Sequence, residues 1–583
     1  MNLLLSGLAL FGFIGVSAAR PGCKCTPGDD CWGKIDWKSL NSTVSGKLIL
    51  NTPPAASCYP GPEYDKVECA FVNSQWSNTS FQADQTIGYS YPLQNNCPVV
   101  DRGAGQLPWG GCGLGPSPVY TINATDVNNL AAGIAFAQKN NVRLVIRTTG
   151  HDLLGKSMGY GSLQIWMRHL RNGIKHQPQY EPSELCARGN WTGAAFVVAG
   201  GYVWDDVHQE AFARDLIVVG GGDPTVGVIG GYIQGGGHSP ATHDFGHPCR
   251  WLDCCSPCSH PDLFTAIRGG GGGTYGVVVS ITVKAFPSTP VVAQSLVIVP
   301  KSNSSLNPLL EALTDVYSSY PVLSDTGFSG YGSWSISDPI TKYGDSSSAG
   351  YQHALAVLNK PLNEAKTAFD TLLNKLLSRD QVTVDVQWFE FPSYSAYYRA
   401  MSGVHQPTGV PEFSMASRMF DKKALTSDRK ALRRAVGTLA GNPAEATINQ
   451  VLFVGGGKVL EETEYSGVNP AWRQTYLVYI VARAWLEIIG PHAAKAIQAD
   501  ITHHKYKAMR DLTPTTGSYL NEADRNNLWW KEDFYGQENY DRLVRIKAKY
   551  DPKGVFYCPT CVGSPSWRER KFVGRAYGPL CSV

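Results

Sequence analysis

The stretch from Arg147 to Leu170 reads RTTGHDLLGKSMGYGSLQIWMRHL, and its reading decides the fold. It follows the strand-like run Val142-Arg143-Leu144-Val145-Ile146-Arg147 and opens with Thr148, Thr149, Gly150, His151 and Asp152 at a turn. Gly155, Ser157, Gly159, Gly161 and Ser162 come behind it. A histidine in a polar loop is ordinarily a surface residue. His151 stands out because it sits at the tip of a turn directly after an apolar strand.

Two more glycine loops accompany it. One runs from Gly220 through Asp223, Thr225 and Gly227 to Gly230, Gly231, Gly237 and His238; the other runs from Arg268 through Gly273 to Gly276 and the apolar Val278. Glycine lets backbone N–H groups approach an anion closely and admits positive φ. Three such loops in one part of the chain suit a long diphosphate ligand held mainly by main chain. Rival readings fit less well. Gly271, Gly273 and Gly276 match G-x-G-x-x-G, but here a helix pattern precedes the loop and a strand follows, the reverse of a dinucleotide fold. Gly155-Lys156-Ser157-Met158-Gly159 matches the nucleophile elbow of a serine hydrolase but has no strand immediately before it and no clear helix after it. No H-E-x-x-H and no P-loop occur.

Outward from these loops, Thr125 reads as the N-cap of a helix from Asp126 to Gln138, with Val127, Leu130, Ala131 and Ile134 on one face. Ala195–Ala199 reads as a strand, Trp204–Ala213 as a helix and Ile217–Val219 as a strand, an alternation that continues to Pro287. Beyond Pro287, strands at Ser295–Val299 and Val382–Val386 and helices at Leu309–Tyr317 and Leu362–Leu377 suggest helices on an antiparallel sheet. The expected organisation is a signal peptide at 1–19, a disulfide-rich region at 20–115, a ligand-binding domain at 116–287, a second domain at 288–517, and a segment at 518–583 returning to the first.

The chain has 583 residues, 43% of them apolar, and a net charge of +3. That length exceeds one core, and the charge gives no reason to expect nucleic acid as a partner. MNLLLSGLALFGFIGVSAA ends in small residues and is broken at once by Arg20-Pro21-Gly22. We read it as a cleaved signal peptide rather than an anchor, which places the protein in the secretory lumen, the vacuole or outside the cell. Sequons at Asn41, Asn78, Asn123, Asn190 and Asn303 then become glycosylation candidates. Fifteen cysteines imply disulfides, with connectivity left open and at least one thiol unpaired. Cys249, Cys254, Cys255 and Cys258 with His247 and His260 also permit a zinc reading, but their irregular spacing and the oxidising compartment favour disulfides, and no metal is assigned. Cys558 and Cys561, in C-x-x-C form, read as structural or as paired elsewhere.

The three loops, with SYLNEADRNNLWW from Ser518 and NYDRLVRIKAKYDPKGVFYC from Asn539, resemble the berberine-bridge-enzyme-like branch of the vanillyl-alcohol-oxidase-type flavoproteins. The motifs fall in the family's order across most of residues 95–570. CKCTPGDDCW from Cys23 resembles secreted isoamyl-alcohol-oxidase-like members. The resemblance implies an α+β, two-domain PCMH-type fold, with FAD between an FAD-binding domain and a substrate domain of antiparallel sheet and helices. It further implies a covalent link from His151 to the flavin 8α-methyl carbon. Arg147, Thr148, Thr149, Gly150, Asp152, Gly155, Ser157, Thr225, Gly227, Gly230, Gly231, Gly237, His238, Val278 and Asn521 become the expected cofactor contacts, with Asp152 also a possible loop cap and His238 a backbone-orienting residue.

Two departures matter. Bicovalent members carry a cysteine where Asp223 stands, so a single link is expected. The stretch between Pro240 and Asp262 is also shorter than the family's, which raises the possibility of a protein without flavin. The implied reaction is hydride transfer from a C–H of a small alcohol or secondary metabolite to flavin N5, with O2 as acceptor and Tyr519 as the candidate base. Oxidative cyclisation or dehydrogenation, and a catalytically inactive glycoprotein, are the alternatives. Substrate and oligomeric state stay open.

Overall fold

The computed structural model describes residues 22–88, 92–100, 111–181, 191–247, 259–302, 305–337, 343, 347–401, 412–462, 466–485 and 490–583. The fold is mixed α+β, with two small sheets sharing one core and a large antiparallel sheet forming another.

The loop carrying His151 is placed by the first small sheet. Leu144–Arg147 and Leu163–Trp166 are adjacent parallel strands, and residues 148–162 join them without a helix. Met167 N–H donates to the Arg147 carbonyl at 2.7 Å, so the base of the loop is pinned by the ladder itself. Tyr120–Asn123 extends the sheet in parallel and Leu48–Leu50 closes it antiparallel. The N-terminal stretch thus supplies a strand as well as disulfides, and its Leu40 and Val44 enter the first core. The helix Val127–Lys139 packs on this core. Its cap is Asp126 and not Thr125: Asp126 is extended, and its carboxylate accepts from Asn128 N–H at 2.8 Å and Asn129 N–H at 3.0 Å. Thr125 accepts from Lys47 instead.

The second small sheet is antiparallel, in the order Ile174–Gln177, Ala195–Ala199, Ser280–Pro287, Leu216–Val218. Its Phe196, Val198, Ile281 and Val283 pack with Trp204, Val207 and Ala211 of the helix Trp204–Phe212. Leu520, Ala523, Phe534, Tyr540 and Leu543 of the chain's last part join the same core.

The large sheet has seven antiparallel strands in the order Val382–Phe391, Val291–Pro300, Gly350–Leu358, Ser329–Ser335, Ile448–Phe453, Thr475–Ala484, Phe413–Asp421. Thr475–Ala484 is buried on both faces. Leu477, Tyr479 and Val481 meet the helices Asn307–Asp325 and Arg429–Ala440 on one side, while Val478, Ile480 and Ala482 pack with Trp472 and Tyr519 on the other. Period-two alternation gives one strand two partners, and the second of these faces looks onto the functional site.

All ten described cysteines are paired: Cys23 with Cys581, Cys25 with Cys31, Cys58 with Cys69, Cys97 with Cys112 and Cys558 with Cys561. The first of these ties the start of the described chain to the short ladder of Trp567–Glu569 with Leu580–Ser582. Among the described residues no helix is long and apolar enough to cross a membrane.

Candidate active site

Gly150 precedes His151 with φ +97°, a left-handed value that a side chain resists. The loop is then locked by its own polar groups. Asp152 accepts from Ser157 N–H at 2.6 Å and Ser157 Oγ at 2.8 Å, which makes this carboxylate a loop clamp. Arg147, fully buried, donates to the Thr149 carbonyl at 3.2 Å, and Trp166 Nε1 donates to the Thr148 carbonyl at 3.1 Å.

This loop forms one wall of a cleft of ≈ 920 Å³, its open mouth included. Gly230 and Gly231 of the second loop, and Gly272, Gly273 and Gly276 of the third, form other parts of the wall. A Cβ added at Gly273 or Gly276 would meet nothing within 4 Å, so bare backbone faces open space there. At Gly230 a Cβ would stand 2.6 Å from Thr148 Oγ1; that glycine is required by the packing of one loop on the next. Glycine backbone on three sides, with a histidine side chain in the wall, fits a long diphosphate cofactor such as FAD.

Of the residues expected to contact the cofactor, Arg147, Thr148, Gly150, His151, Asp152, Ser157, Gly230, Gly231, Val278 and Asn521 line this cleft. Thr149, Gly155, Thr225, Gly227, Gly237 and His238 do not. Thr225 stands behind His151, with its Oγ1 2.7 Å from Nε2. Gly227 packs on Thr148, and Gly237 on the ring of Tyr232. Lys156, which the sequence reading passed over, also lines the cleft. Burial, opposed by Asp152, pushes its ammonium down to about 8. His151 is held below the ordinary imidazole value, first by burial and then by Arg147, with Asp223 pulling the other way.

A packed cluster of aromatic side chains lies against the cleft. Asn521 bridges the two, since its Nδ2 donates to the Gly231 carbonyl at 2.9 Å and to Tyr519 Oη at 2.8 Å. Tyr519 is buried among His238, at 4.9 Å between ring centroids, and Trp472, at 5.8 Å. Tyr331 from the large sheet stands 6.1 Å from His238. His238 orients no backbone: neither of its ring nitrogens has a hydrogen-bond partner among the described residues, and burial, with His247 adding, pushes the ring down to about 3. Glu522, in the same turn as Tyr519, keeps Oε2 buried without a partner among the described residues, and burial pushes its carboxyl up to about 8. No spacing in the sequence marks Tyr331, Trp472 or Glu522, because a cluster of side chains leaves no glycine signature.

The four cysteines of the zinc reading lie outside the described residues, as do Asn190 and Asn303. His247 N–H donates to Glu462 at 2.7 Å, and His260 faces the Tyr550 hydroxyl at 3.3 Å. Among the described sequons, Asn78 is exposed while capping the helix Thr79–Ala83. Asn41 and Asn123 are half-buried, each with its carbonyl oxygen engaged, by Leu48 N–H and by His169.

The chain is similar to known flavoproteins. A family described as "FAD binding domain" matches residues 118–254, and "Berberine and berberine like" matches residues 518–563. The FAD-linked oxidoreductase hmp9 of Hypomyces subiculosus is 37% identical, over 96% of this chain and 90% of its own. The FAD-linked oxidoreductase apf9 of Gibberella fujikuroi is 36% identical, over 98% of each chain. The crystal structure of the VAO-type flavoprotein MtVAO713 from Myceliophthora thermophila C1 has a TM-score of 0.90 at 38% identity, over 97% of this chain and 100% of that one. The chain therefore belongs to the FAD-linked oxidoreductases of the vanillyl-alcohol-oxidase type, in the branch with a berberine-bridge-like C-terminal segment.

Proposed function

We propose that this chain oxidises an alcohol, or another activated C–H, of a small molecule, with FAD joined by a single covalent bond to His151 and O2 as electron acceptor. The observation that carries the reading is the meeting of two walls: a glycine-lined cleft with His151 in it, and Tyr519 at its edge, held by the same Asn521 amide that holds Gly231. FAD supplies the hydride acceptor when bound. Thr148, Gly230, Gly231, Gly273, Val278 and Asn521 would hold it, and Lys156 sits where an anionic group gains from a cation. Asp223 occupies the position of the second, cysteinyl link, and a carboxylate forms no thioether.

Tyr519 is the group we assign to the substrate's hydroxyl proton. An amide donating to its oxygen stabilises the phenolate over the phenol, which is what a base in a buried place needs. The aromatic walls of His238, Tyr331 and Trp472 exclude water from that proton's path. Secretion is part of the same reading, supported by the five disulfides joining described residues, since such bridges persist in oxidising compartments.

The test is an absorbance spectrum of the purified protein before and after acid precipitation, together with His151→Ala. Wild type should be yellow and keep its flavin in the pellet, whereas the variant should release it. Peroxide release across a panel of primary and secondary alcohols then reads the reaction class. A colourless wild type would overturn the oxidase reading.

A further inference from the structure

We propose that Asp223, acting through Thr225, is the base that prepares His151 for covalent attachment of FAD. The inference rests on the tether at His151 proposed above and adds the groups that make the bond form.

The geometry is a short relay. His151 Nε2 lies 2.7 Å from Thr225 Oγ1, and Thr225 Oγ1 lies 2.8 Å from Asp223 Oδ1. Thr225 N–H donates to the same oxygen at 2.8 Å, so the Asp-Pro-Thr turn is closed on itself and presents the hydroxyl in one direction. Asp223 Oδ1 is also 3.7 Å from His151 Nε2, with both side chains largely buried. A threonine hydroxyl has one proton, and an ionised carboxylate can only accept. The Thr225 proton therefore points to Asp223, and its oxygen must accept from the imidazole. That fixes His151 with Nε2 protonated and the lone pair on Nδ1, the form that attacks carbon. Burial, opposed by Asp223 and helped by Arg147, holds the ring below its ordinary value and so disfavours the imidazolium, which could not attack.

The relay also supplies the exit for charge. When Nδ1 bonds to the methyl carbon of the flavin, one C–H bond breaks and the ring would become cationic. The Nε2 proton leaves through Thr225 to Asp223, so the product is a neutral alkylated imidazole. The electron pair of the broken C–H reduces the same flavin. O2 then takes the two electrons, with the methyl proton and the imidazole proton, and leaves as H2O2. The sum is one methyl group, one imidazole N–H and O2 giving one C–N bond and H2O2.

The role is a positioning and proton-accepting one, distinct from substrate oxidation, and its readout is the fraction of total flavin that stays with acid-precipitated protein. Thr225→Val keeps the shape and removes the hydroxyl; Thr225→Ser keeps the hydroxyl; Asp223→Asn keeps the shape and removes the base. Thr225→Val and Asp223→Asn should bind flavin that acid releases, with the covalent fraction at least tenfold below wild type. Thr225→Ser should stay within twofold of wild type, a rescue that a purely structural role of the residue would not predict. Full covalent incorporation in both Thr225→Val and Asp223→Asn would overturn the relay and leave the tether intact. Both arriving colourless beside a yellow Thr225→Ser would assign the pair to flavin binding and overturn it too. Wild type releasing its flavin in acid would overturn the tether, and the relay with it.

Discussion

The two walls of the site are built by opposite means. Glycine main chain from three loops forms part of the cleft wall, and polar clamps such as Asp152 on Ser157 work inside a single loop. The cluster beside it is built of side chains from four distant places, His238, Tyr331, Trp472 and Tyr519. A main-chain wall must approach its ligand closely, so it demands glycine at set positions. A side-chain wall demands only bulk, and its shape depends on how distant elements are held together. The first should therefore fail locally under substitution, and the second through its supports.

The strongest test of that difference is at a support. Arg418, on the strand Phe413–Asp421, donates to Asp533 at 2.6 Å and to the carbonyls of Thr513 and Thr516, all buried. Asp533 also accepts from Tyr506 at 2.6 Å and Asn527 at 3.1 Å. Arg418→Met would leave that carboxylate buried with its main partner gone, at a cost of about 3–5 kcal/mol. Urea unfolding should show it as a lower midpoint, while the covalent flavin fraction of the folded protein stays at the wild-type level. A loss below about 1 kcal/mol would mean the aromatic cluster does not lean on this network.

Within the aromatic cluster, Tyr519→Phe removes only the hydroxyl that Asn521 orients. Turnover should fall by roughly two to three orders of magnitude, the usual worth of a positioned base, with the flavin spectrum kept. Unchanged kcat would move the base elsewhere, and Glu522 would be the first place to look.

Glu522 gives a smaller, pH-dependent effect. Burial raises its carboxyl from the ordinary 4.5 to about 8, so the folded protein binds a proton there that the unfolded chain has lost. The stability this contributes is complete below the unfolded value and is lost as pH rises through the folded one. Unfolding midpoints of wild type should therefore decline between about pH 5 and about pH 8.5, and Glu522→Gln should flatten that slope. Parallel profiles for the two proteins would show that Glu522 is solvated.

The comparison also explains what the sequence disclosed. The strand before His151, the three glycine loops and the Tyr519–Asn521 pair were legible because each is a local demand of the backbone or of a short turn. The helix Leu362–Leu377 forms at the bounds its apolar period marks. The relay behind His151 was not legible, since Asp223 and Thr225 are more than seventy positions away in the chain. Nothing in their composition says which way they face. Tyr331, Trp472 and Glu522 were hidden for the same reason, and Lys156 because only burial makes it unusual. Thr125 and Asp126 are both good caps one position apart, and only backbone angles decide between them.

Gly273 and Gly276 offer the smallest effect and the finest cut between the backbone's two roles in the cleft. Both line it, and a methyl at either would project into open space. Only Gly273 holds a left-handed φ, at +71°. Alanine there should lower stability by about 1 kcal/mol through backbone strain and should also crowd the ligand. Alanine at Gly276 should crowd the ligand alone. In the His151→Ala background, where flavin binding is reversible, both substitutions should weaken FAD affinity, and only Gly273→Ala should lower the unfolding midpoint of the flavin-free protein. If Gly276→Ala left affinity unchanged, the open space beside it would not belong to the cofactor, and the main-chain wall would be narrower than the cleft it lines.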